Sequence, residues 1–305
     1  EIKAGTLQLV KLPDGEVSGI PFHISGNGIE KDVVTGSDGT IRVDNPKLET
    51  YTVTERAPDK YVQPESKQVN HLSRPDFQRE FSNILKKFRV ELEKVDSRTG
   101  EAQGDSSLDG ALYGMFKGEN LLDTYTTANG GKFTTKEYPC GSDYTIREIT
   151  PSEGYLLDET IYPVGAEPEI YLGNNSIPMT ATEDVILGSI AITKHTDKPA
   201  ESSDSDQIEQ PEEGVIQIYL ASAGSYENAK ETERDLLTTD SYGFARSKDL
   251  PYGLYVVHQT KGAEGQKFVP DFSVFISEHG KTYYFILNNP TFTSLIRFEK
   301  KDAES

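Results

Sequence analysis

The chain has 305 residues, with 31 basic against 50 acidic side chains and a formal net charge of −19. That acidic excess excludes the basic patches that nucleic acid or an anionic membrane surface requires, and no apolar run approaches the ~18 residues of a membrane span. A single cysteine, Cys140, excludes an intramolecular disulfide; with no secretory leader before Glu1 and no closing anchor, a piece cut from a longer protein is expected.

Predicted strands follow one another along the whole chain. TLQLVKL, YTVTE, FRVELEKV, KFTTKEY, YTIREI, SIAITK, VIQIYL, LYVVHQ, FSVFIS and TYYFIL alternate β-branched or aromatic residues with polar ones. The clusters PDGE, GSDG, ANGG and LPYG punctuate them as turns. Two short helical pieces are expected, PDFQREFS and the stretch near YENAKETERD. Cys140, in the turn YPCGSDY with no histidine near it in sequence, reads as a loop or edge residue rather than a catalytic thiol. The acidic stretch DKPAESSDSDQIEQPEEG reads as a solvated loop. Its SDSDQ lacks the ordered spacing of a calcium loop, so no metal is assigned there.

A three-part pattern recurs along these elements. Its first copy holds Lys11 in LQLVKLPD, a T-x-x-x-G turn from Thr35 to Gly39, Glu55 within YTVTERAPDKY, and a closing FSN that ends at Asn83. The second holds Lys94 in VELEKVD, Thr127 to Gly131, and Glu148 within YTIREITPSEGY. The third holds Lys194 in IAITKHTD, Thr239 to Gly243, Gln259 in YVVHQTKGAEG, and a closing FILNN that ends at Asn289. A repeat of about a hundred residues means similar domains in series, each able to bury a modest core.

The expected architecture is all-β, with three immunoglobulin-like β-sandwiches of short antiparallel strands in an elongated rod. Their expected spans are 1–86, 87–187 and 188–294, with 295–305 opening a truncated further repeat at Lys300. Asn83 precedes Lys94 by the same interval that separates Asn289 from Lys300, so each closing strand is expected to run almost directly into the next opening strand.

If the lysine, glutamate and closing strands lie side by side, chemistry follows from burial. A buried lysine tends to lose its proton and a buried glutamate to keep one. A neutral amine beside an asparagine carboxamide, with a glutamic acid to move protons, is set up for nucleophilic attack. The product is a covalent side-chain amide, formed once and not turned over.

The combination of L-x-L-x-K-x-D, T-x-x-x-G, Y-T-x-x-E-x-x-P-x-x-Y and F-x-N resembles the Cna B-type and SpaA-type domains of Gram-positive surface adhesins and pilins. The resemblance spans all three repeats and is strongest at TERAPDKY and REITPSEGY. It implies sandwiches of inverse immunoglobulin-like or prealbumin-like topology, on the outside of a cell wall. It also implies Lys–Asn or Lys–Asp isopeptide bonds assisted by glutamate, with Lys11, Glu55 and Asn83 as one complete set. In the second repeat Lys94 and Glu148 match, but the closing position holds Glu183 followed by Asp184. Aspartate can serve as acceptor in such domains, so Asp184 is the candidate, one residue out of register unless a bulge restores it. An unreacted buried ion pair is the competing reading of Lys94 and Glu148. In the third repeat Lys194 and Asn289 match, with Asn288 as a competitor. Gln259 cannot titrate, which leaves Asp271 or Glu213 as alternative acids, or no bond.

These readings point to a stalk segment of a cell-wall-attached adhesin or pilin whose partners are the neighbouring domains of the same chain. The alternative is a module that recognises a host extracellular-matrix protein or a glycan through its loops. With 16 Tyr, 13 Phe and no Trp, the aromatics fall mostly at strand spacing and read as core. The five histidines have no metal-ligand spacing, and no nucleophile elbow, phosphate loop or dinucleotide fingerprint is present, so neither enzymatic turnover nor a cofactor is expected. NPKLETY around Lys47 is a weak echo of a pilin motif.

Overall fold

The computed structural model describes residues 6–11, 17–44, 49–70, 76–165, 175–196, 210–211, 214–262 and 267–289. Among them the regular structure is β-strand apart from two 3-10 turns, Ala221–Ala223 and Glu231–Glu233. The first strands are β1 (Thr6–Lys11), β2 (Pro21–Gly26), β3 (Ile29–Val34), β4 (Thr40–Asp44), β5 (Thr50–Glu55), β6 (Lys67–Asn70) and β7 (Asp76–Phe81). Then follow β8 (Lys87–Asp96), β9 (Leu112–Lys117), β10 (Asn120–Thr126), β11 (Lys132–Thr134), β12 (Tyr138–Pro139), β13 (Tyr144–Thr150), β14 (Tyr162–Pro163) and β15 (Ser176–Glu183). The last are β16 (Leu187–Thr196), β17 (Gln210–Pro211), β18 (Val215–Leu220), β19 (Arg234–Thr238), β20 (Phe244–Arg246), β21 (Leu250–Pro251), β22 (Gly253–Lys261), β23 (Phe272–Ile276) and β24 (Thr282–Asn289).

These strands form six sheets that pack in pairs. The first pair is β4-β1-β7 against β3-β2-β5-β6. In the second, β8 carries β11, β12 and β15 and faces β10-β9-β13-β14; in the third, β16 carries β17, β20, β21 and β24 and faces β19-β18-β22-β23. Period-two alternation builds each core. Phe22 and Ile24 of β2 meet Val53 of β5 and Phe81 of β7 in the first; Phe88, Val90 and Leu92 of β8 meet Tyr113, Met115 and Ile146 in the second. Ile190 and Ile192 of β16 meet Ile216, Ile218 and Tyr255 in the third. The expectation of an all-β chain therefore holds.

One feature is common to the three sandwiches. The opening strand runs parallel to the closing strand, β1 with β7, β8 with β15 and β16 with β24, whereas every other pairing among the described residues is antiparallel. Connections between sandwiches are short. Ser82–Lys86 join β7 to β8, and Asp184–Ile186 join β15 to β16. A small cluster of Tyr155, Val185 and Leu187, with Leu108 and Tyr252 against it, fills the second joint.

Of the two short helical pieces expected, one fails and the other is met only by short turns. PDFQREFS enters β7, where its parallel ladder with β1 overrides the four-residue spacing of Phe77 and Phe81 that mimics a helical period. In YENAKETERD residues 226–228 form a hydrogen-bonded turn and Glu231–Glu233 a 3-10 turn, before the chain extends again as β19 from Arg234. Lys47, Glu213, the SDSDQ loop and residues 295–305 lie outside the described residues. Cys140 is half-buried against the second core, and that burial raises its thiol pKa, as suits an inert edge residue. Tyr51, Tyr113, Tyr255, Phe22, Phe81 and Phe88 are fully buried, whereas Tyr242 and Tyr284 stand in solvent.

Candidate functional site

The alternation that builds the second and third cores also carries their repeat lysines inward; the side chain of Lys11 lies outside the described ones. In β8, Phe88, Val90, Leu92 and Lys94 all face the interior while Glu91 and Glu93 face solvent, and Lys94 is left 0% exposed. In β16, Ile190, Ile192 and Lys194 share one inward face, and Lys194 is likewise 0% exposed. Burying an ammonium costs several kcal/mol unless it is paired or neutralised.

The T-x-x-x-G turn fixes the lysine backbone. Thr35, Thr127 and Thr239 are buried, and their hydroxyl oxygens accept the backbone N–H of Ile20, Ala111 and Gly214 at 2.8, 2.9 and 2.7 Å. At the other end of the motif, the carbonyls of Gly131 and Gly243 accept the N–H of Lys94 and Lys194 at 2.8 and 2.7 Å. Both glycines have φ in the left-handed region, +87° and +74°, and a Cβ on either would lie 2.6 or 2.2 Å from the lysine carbonyl oxygen. Only glycine fits. Gly214 in turn leaves room for the aliphatic stem, since a Cβ there would stand 2.8 Å from Lys194 Cδ.

The parallel ladders place the acceptors. Lys11 pairs with Phe81, Lys94 with Ala181 and Lys194 with Leu287. Two residues further along each closing segment, on the same inward face, stand Asn83, Glu183 and Asn289 at 3%, 2% and 0% exposure. Asn289 thus shares the dry interior with Lys194. Among the described residues neither Nδ2 nor Oδ1 of Asn83 finds a hydrogen-bond partner, although a buried carboxamide is ordinarily satisfied.

The third component comes from the facing sheet. Glu55 ends β5 opposite Phe22, Glu148 lies in β13 opposite Tyr113, and Gln259 lies in β22 opposite Ile216. All three are buried. Glu148 and Gln259 occupy equivalent environments, each accepting a backbone N–H from ten residues onward, Asp158 at 2.8 Å and Val269 at 3.1 Å. The tyrosine that ends the motif pins the following loop, because Tyr61 bridges to Leu85 and Tyr155 to Val185, next to the closing strand in each case.

The second sandwich shows its site in most detail. The Lys94 ammonium contacts Glu183 Oε2 directly and lies 3.4 Å from Glu148 Oε1, with all three side chains 0% exposed. The Tyr113 hydroxyl donates to the other oxygen of Glu183, and the Tyr155 ring lies 4.7 Å from the Lys94 nitrogen. Burial pushes Glu148 up to about 7, against the N–H of Asp158, which favours its charged form; the neighbouring Glu183 carboxylate adds to the rise. Burial also raises the Tyr113 hydroxyl, which therefore remains a donor at neutral pH.

Asp184 requires correction. The β8–β15 register runs unbroken from Ser176 to Glu183, with no bulge, so Asp184 falls on the outward face and takes a hydrogen bond from Ser97 at the surface. Glu183, not Asp184, is the residue that meets Lys94. Asn288 is exposed beside buried Asn289 and is no competitor for Lys194. Asp271 pairs with His258 at 2.7 Å on the surface and does not reach the third core. The residue that sequence reasoning missed is Tyr113. Its signal was the strand opposite the glutamate, where the other repeats carry hydrocarbon.

Comparison with known proteins bears on the fold. Residues 88–174 match the family described as SpaA, prealbumin-like fold domain. The match contains Lys94, Tyr113 and Glu148 of the second sandwich and stops before Glu183. Over 174 residues, 56% of this chain, the sequence is 26% identical to the trypsin-resistant surface T6 protein of Streptococcus pyogenes serotype M6. The structure superposes on the Bacillus anthracis TIE protein with a TM-score of 0.70 at 23% identity, over 94% of this chain. The chain spans 29% of the streptococcal protein and 50% of the Bacillus one. The second sandwich is thus similar to a SpaA prealbumin-like domain, and the fold of the described residues is shared with the Bacillus protein.

Proposed function

We propose that this chain is a shaft segment of a cell-wall-attached adhesin or pilin of a Gram-positive bacterium. In this reading it comprises three domains, 1–86, 87–187 and 188–294, welded by intramolecular isopeptide bonds. The observation that carries the reading is the repeated register: a lysine on the opening strand and, two residues beyond its parallel partner, a buried acceptor. In the first domain the Lys11 amine attacks Cγ of Asn83 and the new C–N bond forms; Glu55 takes a proton from the amine and passes one to Nδ2, which departs as ammonia. Lys194 and Asn289 form the corresponding pair in the third domain, where Gln259 cannot relay a proton and the reaction is the slower.

The bond suits a load-bearing role. Its ends lie on the first and last strands, so tension along the chain passes through the amide and the intervening sheets need not open. An amide, unlike a disulfide, is indifferent to reductants. Intact-mass spectrometry tests the reading, since each Lys–Asn bond removes one ammonia. At least one ammonia is expected to be missing, and a chain at its full summed mass overturns the proposal.

A second reading has one observation in its favour. Phe244 of β20 and Ile286 of β24 flank Thr193, with Tyr284 one row along, and all three large side chains are exposed. An outward apolar row of this kind would suit a module that holds a host protein or glycan. Solid-phase binding to matrix proteins and a glycan array, compared with a Tyr284→Ala, Ile286→Ser variant, separates the two readings.

A further inference from the structure

We propose that the second sandwich closes through a different bond, a γ-glutamyl amide between Lys94 Nζ and Glu183 Cδ, formed with loss of water and promoted by Glu148 and Tyr113. It rests on the isopeptide reading above and extends it to an acceptor with another leaving group.

Geometry places the reactants. Lys94 and Glu183 touch in a water-free interior, and Glu183 holds the register position that Asn83 and Asn289 hold elsewhere. A carboxyl group poses a problem that a carboxamide does not. As a carboxylate it repels a nucleophile's electrons, so it must gain a proton and have its carbonyl oxygen held, besides receiving the proton that any leaving group here requires. The second sandwich supplies groups for both. Opposite the acid position the three repeats carry Phe22, Tyr113 and Ile216, so only the repeat with a carboxyl acceptor has a hydroxyl there. That hydroxyl donates to Glu183 Oε1, the oxygen that gains negative charge when the amine adds. On the other side, Glu148 Oε1 lies 3.4 Å from the attacking nitrogen, and burial raises it to about 7, so it holds a proton at near-neutral pH.

The balance is that of a condensation. Glu148 gives its proton to Glu183 Oε2 and takes one from the Lys94 ammonium, which leaves a neutral amine and a neutral acid. Nζ then adds to Cδ, and Tyr113 steadies the oxygen. Glu148 takes the second amine proton and returns it to Oε2, which leaves as water. Two buried charges disappear, and Glu148 ends in the state in which it began. Burial of an ion pair is expensive, and the reaction removes that cost at this site.

Peptide mapping of the folded chain tests the proposal. The expected result is a branched peptide joining the segments of Lys94 and Glu183, lighter than its parts by one water. Glu183→Gln is expected to keep the branch but lose ammonia instead, and Glu183→Ala to abolish it without affecting the first-sandwich ammonia loss. Tyr113→Phe should slow appearance of the branch about a hundredfold after refolding. Recovery of unbranched, full-mass Lys94 and Glu183 peptides from folded wild-type chain overturns the proposal and identifies the trio as a non-covalent cluster. Because the first site loses ammonia and this one water, failure here is distinguishable from failure of the broader reading. A water loss without any ammonia loss would support this bond and sink the other.

Discussion

Replacing Lys11 with methionine is the sharpest test of what the proposed bond does for the fold. Methionine keeps most of the aliphatic stem but has no amine, so the first sandwich must stand on packing and hydrogen bonds alone. The bond from Lys11 to Asn83 closes a loop of about 72 residues, and the chain-entropy relation gives roughly 4 kcal/mol for removing that freedom from the unfolded chain. For a domain of this size each kcal/mol shifts the melting temperature by about 4–8 °C, so a fall of roughly 15–30 °C is expected for the first transition. The Asn83 carboxamide, 3% exposed and without a hydrogen bond among the described residues, would then be a buried group lacking its covalent partner, which adds to the loss rather than offsetting it. Glu55→Gln controls for packing, because both reactants remain while the proton relay is gone. Calorimetry on the intact chain, with the mass measured on the same sample, reads both effects; the other two sandwiches serve as the internal reference. The reasoning is refuted if wild type has lost ammonia at this site and K11M, at full mass, melts within a few degrees of it.

Three further outcomes are expected. Gln259→Glu gives the third site the acid it lacks, in a pocket already lined by the Val269 N–H, and should raise the fraction of chains that have lost ammonia between Lys194 and Asn289; no change in the mass profile would show that proton relay is not what limits that site. Glu148 makes the second sandwich less stable as pH rises. Its folded pKa of about 7 exceeds the ordinary 4.5, so between those values the unfolded chain releases a proton that the folded one keeps, and up to about 3 kcal/mol is lost by the time the pH passes 7. Urea midpoints across this window should fall for wild type and stay flatter for Glu148→Gln; parallel curves would exclude the burial argument. Gly104→Ala should loosen the second joint, because a Cβ there would lie 2.1 Å from the Tyr252 carbonyl at φ +62°, displacing the bond from Asp105 N–H to that oxygen and the Gly104 N–H bond to Glu233, both 2.9 Å. Faster proteolysis between β15 and β16 would report it, and an unchanged cleavage pattern would show that the joint is held elsewhere.

The strand content, the threefold repeat and the inward lysines were legible in the sequence because all three depend on local periodicity. FRVELEKV and SIAITK put the lysine on the same alternating face as their aliphatic residues, and that face could only be a core. The glycines closing T-x-x-x-G were legible as turns, whereas their close approach to the lysine carbonyl was not. The misread helix, PDFQREFS, is a short segment in which spacing fits either period and only the partner strand β1 decides.

The acceptor in the second sandwich was settled by register, which is a property of two strands together. Sequence reasoning looked past Glu183 to Asp184 because it matched residue type; the unbroken ladder with β8 turned Glu183 inward and Asp184 out. Tyr113 was invisible for the same reason, since nothing nearby in the chain reveals that it faces Glu148 and donates to Glu183. The sequence by itself determined which side chains would be buried, because burial follows the two-residue period of a strand. Which of them would meet was decided by the parallel pairing of opening and closing strands, whose residues lie far apart along the chain and whose alignment no local pattern encodes.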